Sequence, residues 1–199
     1  MADHPVQDMM HLMASKISLI AHNISEKEIE RFIEEIIKAE RIYVIGAGRS
    51  GLVAKAFAMR LMHLGLTCYV VGETITPAMR QEDVIVVFSG SGKTKTVADI
   101  AETAKGIGGK IALITSNPDS PIGRISDAIV MIESQRDEVA DDSREFEIRQ
   151  MMGEHKSFAP LGTIFETAAM VFADALVSRL MEITKTEEQD LKQRHANIE

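Results

Sequence analysis

The chain has 199 residues, of which 45% are apolar and 26% charged, with a formal net charge of -8, a balance ordinary for one well-buried water-soluble domain. Its apolar runs fall far short of a membrane span, and its acidity disfavours nucleic acid and anionic membrane as general partners, because those surfaces are gripped by basic patches. The start, "MADHPVQDMMHLM", lacks the basic opening and continuous apolar block of a secretory signal, and Cys68 has no second cysteine to pair with, so a cytoplasmic setting is expected.

Residues 6 to 39 carry apolar side chains at helical spacing, and Ser25-Glu26-Lys27-Glu28 reads as a capping box between two helices. This is a helical extension over about 1–40. Short β-rich runs then alternate with longer helical ones: "IYVI" at 42–45, a helix from about Ser50 to Leu64, "TCYVV" at 67–71, and "DVIVVF" at 83–88. A helix from about Lys93 to Lys105, "KIALIT" at 110–115 and "AIVMI" at 128–132 follow. Five continuous apolar runs separated by crossover helices predict an α/β fold, a three-layer doubly wound sandwich around a five-stranded parallel sheet. The stretch from Glu133 to Phe158 is charged, mostly acidic and without a clear strand signal; it reads as a solvated loop in preference to a lid over a site. A long helix from about Gly162 to Thr184 and a polar tail, "EEQDLKQRHANIE", complete a single domain over 1–199, with the C-terminal helix and tail at about 162–199.

The loop "GAGRSG" after the first strand contains G-x-G-x-x-G at Gly46, Gly48 and Gly51, in the strand-loop-helix setting that a dinucleotide site requires. Two features lower that reading. Arg49 and Ser50 bring a cation and a hydroxyl that suit a compact phosphate or sugar hydroxyl. Glu73, the acid at a ribose-binding distance, lies in the turn "ETITP" instead of at a plain strand end.

After the third strand comes "FSGSGKTKT". A nucleotide P-loop needs a glycine five residues before Gly92, and the residue there is Val87, so that reading fails on its own spacing. Ser89, Gly90, Ser91, Gly92, Lys93 and Thr94 remain at a helix start, where hydroxyls, unpaired amides and the helix dipole favour an anion. Any one serine-rich turn is more often a cap than a ligand site. Two such loops, following strands that adjoin in the commonest short doubly wound order, open on one crevice and together favour a ligand.

With "SGSGKT", "GAGRSG", "VGETITP", "FAMRLMHLG", "PLGTIFE" and the terminal "RHANIE", the chain resembles the sugar isomerase (SIS) domain, and within it the 6-phospho-3-hexuloisomerase family. The resemblance runs from about residue 30 to the end. It implies interconversion of D-arabino-3-hexulose 6-phosphate and fructose 6-phosphate, a step of formaldehyde fixation by the ribulose monophosphate pathway or of its reverse in pentose supply. It also implies a homotetramer with sites near subunit boundaries. Carried over, Ser89, Ser91, Lys93 and Thr94 with the amides of Gly90 and Gly92 hold the phosphate, while Gly48, Arg49 and Ser50 line the opposite wall. The acidic stretch 133–158 is longer than this family's pattern.

Moving the carbonyl from carbon 3 to carbon 2 needs a base at carbon 2, a cis-enediol and proton return to carbon 3. One carboxylate can do both transfers, with neither metal nor redox cofactor required. The candidate is Glu166 in "PLGTIFE"; by sequence alone Thr163 to Glu166 also fits a capping box, and it is the resemblance that makes Glu166 the base. His195 in the tail is the acid-base assistant implied, acting across a subunit boundary. His63 matches the same pattern, with a packing role of equal weight. His4, His11, His22 and His155 carry no assignment. The twelve methionines read as core and interface filler. The contending readings are a non-catalytic sugar-phosphate sensor on the same fold, an isomerase of a related sugar phosphate, and a dinucleotide oxidoreductase.

Overall fold

The computed structural model describes residues 5–133 and 163–197. Helices α1 (Pro5–Asn23) and α2 (Glu26–Lys38) precede the sheet. Then come β1 (Ile42–Gly46), α3 (Gly48–His63), β2 (Cys68–Val70), β3 (Val84–Phe88), α4 (Lys95–Ile107), β4 (Lys110–Thr115), α5 (Pro121–Ile125) and β5 (Ala128–Met131). Helix α6 (Thr163–Thr184) and the short α7 (Glu188–Arg194) end the described chain. Nearly all of the acidic stretch 133–158 lies outside the described residues, as do His4, His155 and positions 160–162 of "PLGTIFE".

All strand pairs are parallel, and the order is β2-β1-β3-β4-β5. The expected α/β sandwich is therefore present, with β1 beside β3. Alternate strand residues feed two cores, as the period of two requires. Ile42, Val44, Val84, Val86, Phe88 and Ile114 meet Phe32, Phe57, Leu61, Phe172 and Leu176 on one face. Tyr43, Ile45, Ile85, Val87 and Leu113 meet Val97, Ala101 and Ile122 on the other. Strands β3 and β4 are buried almost throughout, which is why they read as unbroken apolar runs. No described helix is long and apolar enough to cross a membrane.

Two expectations change at the chain ends. Ser25 takes the N-cap position of α2, but its side chain makes no capping bond. Glu28 instead accepts from the Met131 amide at 3.1 Å, satisfying an N–H on the edge strand β5. In the polar tail, Glu187 and Asp190 form a reciprocal capping box that starts α7; the acid at the cap position hid a helix start that a Ser or Thr would have signalled.

The base of the sheet is tied by Asp83, fully buried, which accepts from Arg41 Nε at 3.0 Å, Arg41 Nη2 at 2.7 Å and the Arg80 amide at 2.7 Å. Removing one partner of such a pair strands the other in low dielectric. Asp83→Ala, which removes the shared acceptor of Arg41 and the Arg80 amide, is expected to lower stability, read as a lower urea midpoint with an unchanged slope.

Candidate functional site

The first loop is shaped by contact between its outer glycines. A Cβ on Gly46 would stand 2.6 Å from the Ser50 carbonyl, and one on Gly51 would stand 2.8 Å from the Gly46 oxygen. Those two positions let α3 start directly against the end of β1, so their glycines are explained without a cofactor. Gly48 is different: its φ is +55° with open space around it, so it serves conformation and keeps the crevice wall bare. Ser50 is buried, Arg49 is exposed and reaches into the crevice, and Glu73 is paired with Lys55 at 2.8 Å.

The second loop is held from behind by a third that sequence reading did not single out. The Gly90 carbonyl accepts from the Ser116 amide at 3.1 Å, Ser116 Oγ at 2.7 Å and Thr115 Oγ1 at 3.2 Å. Asn117 Nδ2 donates to the Ser91 carbonyl at 3.3 Å. A trans peptide sets N–H opposite C=O, so this hold turns the Ser91 N–H away from β4, and it has no partner among the described residues. The signal for the third loop was the turn-forming run "TSNPDS" after β4.

The Gly92 amide is expected above to meet phosphate; it instead donates inside the loop, to Ser89 O and Ser89 Oγ, each at 3.1 Å. Gly92 contributes its φ of +61°, with Ser120 pressed against the place a side chain would occupy. The Lys93 amide is likewise engaged, by Ser91 Oγ at 3.1 Å. Both serine oxygens accept from backbone, which leaves their hydroxyl protons to donate outward. Thr94 is the N-cap of α4 without a side-chain capping bond, and its hydroxyl is uncommitted to the helix. The Lys93 side chain is exposed at the loop rim.

Glu166 lies in the first turn of α6, between these loops. Its Oε2 is 3.5 Å from Arg49 Nε of the first loop, and the preceding Phe165 packs on Gly90 of the second. That oxygen is buried and has no hydrogen-bond partner among the described residues, so charge attraction to Arg49 is not matched by a bond. Burial pushes its carboxyl above the usual glutamate range, against the pull of Arg49. Among the described residues Oε2 is thus held by charge alone and makes no capping bond.

His195 and His63 are brought together, but elsewhere. Their rings stack with centroids 5.1 Å apart and planes at 27°, and Arg194 Nη1 donates to the His63 carbonyl at 3.1 Å. They line a hollow of about 440 Å³ with Arg60 and Lys192. His63 is buried, and burial, with His195 and Arg60 beside it, pulls its pKa down. Arg49 and His63 stand at opposite ends of α3, roughly 20 Å apart by helical rise. Within one chain, therefore, the histidine pair does not meet Glu166. Among the described residues no group of three or more His, Cys, Asp or Glu is placed to hold a metal ion.

The SIS domain family matches residues 35–142. A 3-hexulose-6-phosphate isomerase of Bacillus subtilis is 38% identical over 177 residues, covering 88% of this chain and 89% of the relative. One of Mycobacterium gastri is 37% identical over 194 residues, covering 98% and 92%. The crystal structure of a Methanococcus jannaschii protein, described as inferring a molecular function of 3-hexulose-6-phosphate isomerase, superposes with a TM-score of 0.80 at 28% identity, covering 96% and 99%. With two phosphate-suited loops at the β1/β3 switch point and a buried carboxylate between them, the chain belongs to the SIS domain family, among relatives of the 3-hexulose-6-phosphate isomerases.

Proposed function

We propose that the protein interconverts D-arabino-3-hexulose 6-phosphate and fructose 6-phosphate, with Glu166 as the base. The observation that carries this reading is the buried Oε2 of Glu166 between the two loops, which faces Arg49 and has no hydrogen-bond partner among the described residues. The substrate phosphate docks on the hydroxyls of Ser89, Ser91 and Thr94, the Ser91 amide and the start of α4, with Lys93 at the rim. Glu166 takes the proton from carbon 2, giving the 2,3-enediol, and returns a proton to carbon 3. The hydroxyl on carbon 2 gives up its proton as the carbonyl forms there, and the oxygen on carbon 3 gains one. Arg49 faces the same carboxylate and is placed to offset charge building on the enediol oxygens.

The ordered proton exchange between oxygens suits His195, supplied by a neighbouring subunit of a cytoplasmic homotetramer. Two observations support that assembly. The pair His63 and His195 is too far from its own Glu166, and α3 and α6 leave Leu52, Met59, Met62 and Val171 exposed on their outer faces. Oligomers assembled from a mixture of Glu166→Gln and His195→Ala chains are expected to recover activity that neither variant has alone. A mixture as inactive as its parts would contradict a site shared between subunits and remove His195 from the reaction.

The pH profile carries a second expectation. Because Glu166 must be ionised and its pKa is raised by burial, kcat/KM is expected to fall on the acid side at a pH above the ordinary glutamate range. A limb within the ordinary range would contradict a raised pKa at the base. Turnover of an arabinose or heptose phosphate, with none of hexulose 6-phosphate, would keep the fold and change the substrate.

A further inference from the structure

Phe165 stands directly before the base, and its ring rests on a glycine of the phosphate loop. A Cβ on Gly90 would be 3.0 Å from Cδ1, 3.1 Å from Cγ and 3.3 Å from Cε1 of that ring. The glycine is itself anchored, because its carbonyl is held by Ser116 and Thr115. Successive helical residues are turned by about 100°, so seating Phe165 against a fixed surface sets the rotation of the first turn of α6. That rotation decides whether Glu166 faces Arg49 or turns aside.

We propose that Phe165 is a positioning residue: its ring, seated on Gly90, fixes the depth and rotation at which Glu166 meets a substrate whose phosphate the same loop holds. The inference rests on Glu166 being the base. One glycine thus does two jobs, turning the loop toward phosphate on one side and bearing the helix that carries the base on the other. A base held to the loop that holds the substrate stays in register with the reacting carbons.

The test compares Phe165→Leu with Phe172→Leu, a change to a second buried ring of the same helix that packs edge-on to Phe32 at 6.3 Å. Both are expected to lower the melting temperature. Only Phe165→Leu is expected to lower kcat, by about a hundredfold as for an ångström of misplacement, with KM for the sugar phosphate unchanged. It is also expected to move the acid limb of kcat/KM to lower pH, as water reaches the carboxylate. Phe165→Met, closer in volume, carries the same readouts should the leucine variant fail to fold. Wild-type kcat and pH limb in a folded Phe165 variant, or an equal loss in Phe172→Leu, would overturn the proposal. Glu166→Gln is measured alongside: if it turns over normally, the base assignment falls. If it is inactive while Phe165→Leu and Phe165→Met are not, positioning alone falls.

Discussion

Glu166→Gln is expected to lower kcat by about a thousandfold while leaving the affinity for fructose 6-phosphate close to wild type. The amide keeps the shape of the side chain and cannot accept the carbon-bound proton. The same substitution is expected to raise thermal stability at neutral pH. Burial lifts the folded-state pKa of Glu166 above its unfolded value, so the unfolded chain releases the proton first. Ionisation therefore favours unfolding as pH rises through the window between the two values. Below the ordinary glutamate value both states are protonated and the variant's advantage vanishes; above the raised value it is constant. A parallel set of melting curves in acid and at neutrality reads this directly. An active site that lowers the stability of its own fold is the trade expected where a carboxylate must remain basic.

The second large effect is expected from Gly92→Ala. The position needs a φ of +61°, which an L side chain adopts at a cost of about 1 kcal/mol, and the new Cβ would collide with Ser120 Oγ. Relief requires the loop to open, which turns the Ser91 amide and the serine hydroxyls off the phosphate. Losing two charge-assisted bonds of about 1.5 kcal/mol each corresponds to roughly a hundredfold rise in KM. The effect on kcat should be smaller, since Gly90, the seat of Phe165, keeps its carbonyl held by Thr115 and Ser116. Titration with inorganic phosphate provides a readout independent of turnover, and wild-type affinity there would show that the cradle is not where phosphate binds.

The central strands were legible because they are buried on both faces, so their apolar runs are unbroken, while the half-buried edge strands β2 and β5 kept short apolar runs of their own, and the continuity itself implied parallel pairing. The adjacency of β1 and β3 followed from the commonest winding order, and it brings the two glycine loops to one crevice. Less legible were features made by contacts between distant segments. Which amides of the second loop remain open is decided by Thr115, Ser116 and Asn117, about one strand and one helix further on. Ser25 and Glu28 have the spacing of a capping box, but Glu28 is drawn to an edge amide of β5 that no local rule anticipates. By local sequence alone Glu166 had the stronger claim as a cap, and it was the family resemblance that made it the base. What favours the base is its burial, the nearness of Arg49 and an oxygen with no hydrogen bond among the described residues, none of which is readable from local spacing.

The most direct test follows pure fructose 6-phosphate by phosphorus NMR after addition of the wild-type protein or Glu166→Gln. The expected result with wild type is a second phosphate-ester resonance, that of hexulose 6-phosphate, growing to a constant ratio from either direction. Glu166→Gln should bind the sugar phosphate without producing it. Binding without conversion by the wild-type protein would contradict the isomerase and leave a sugar-phosphate sensor on the same fold.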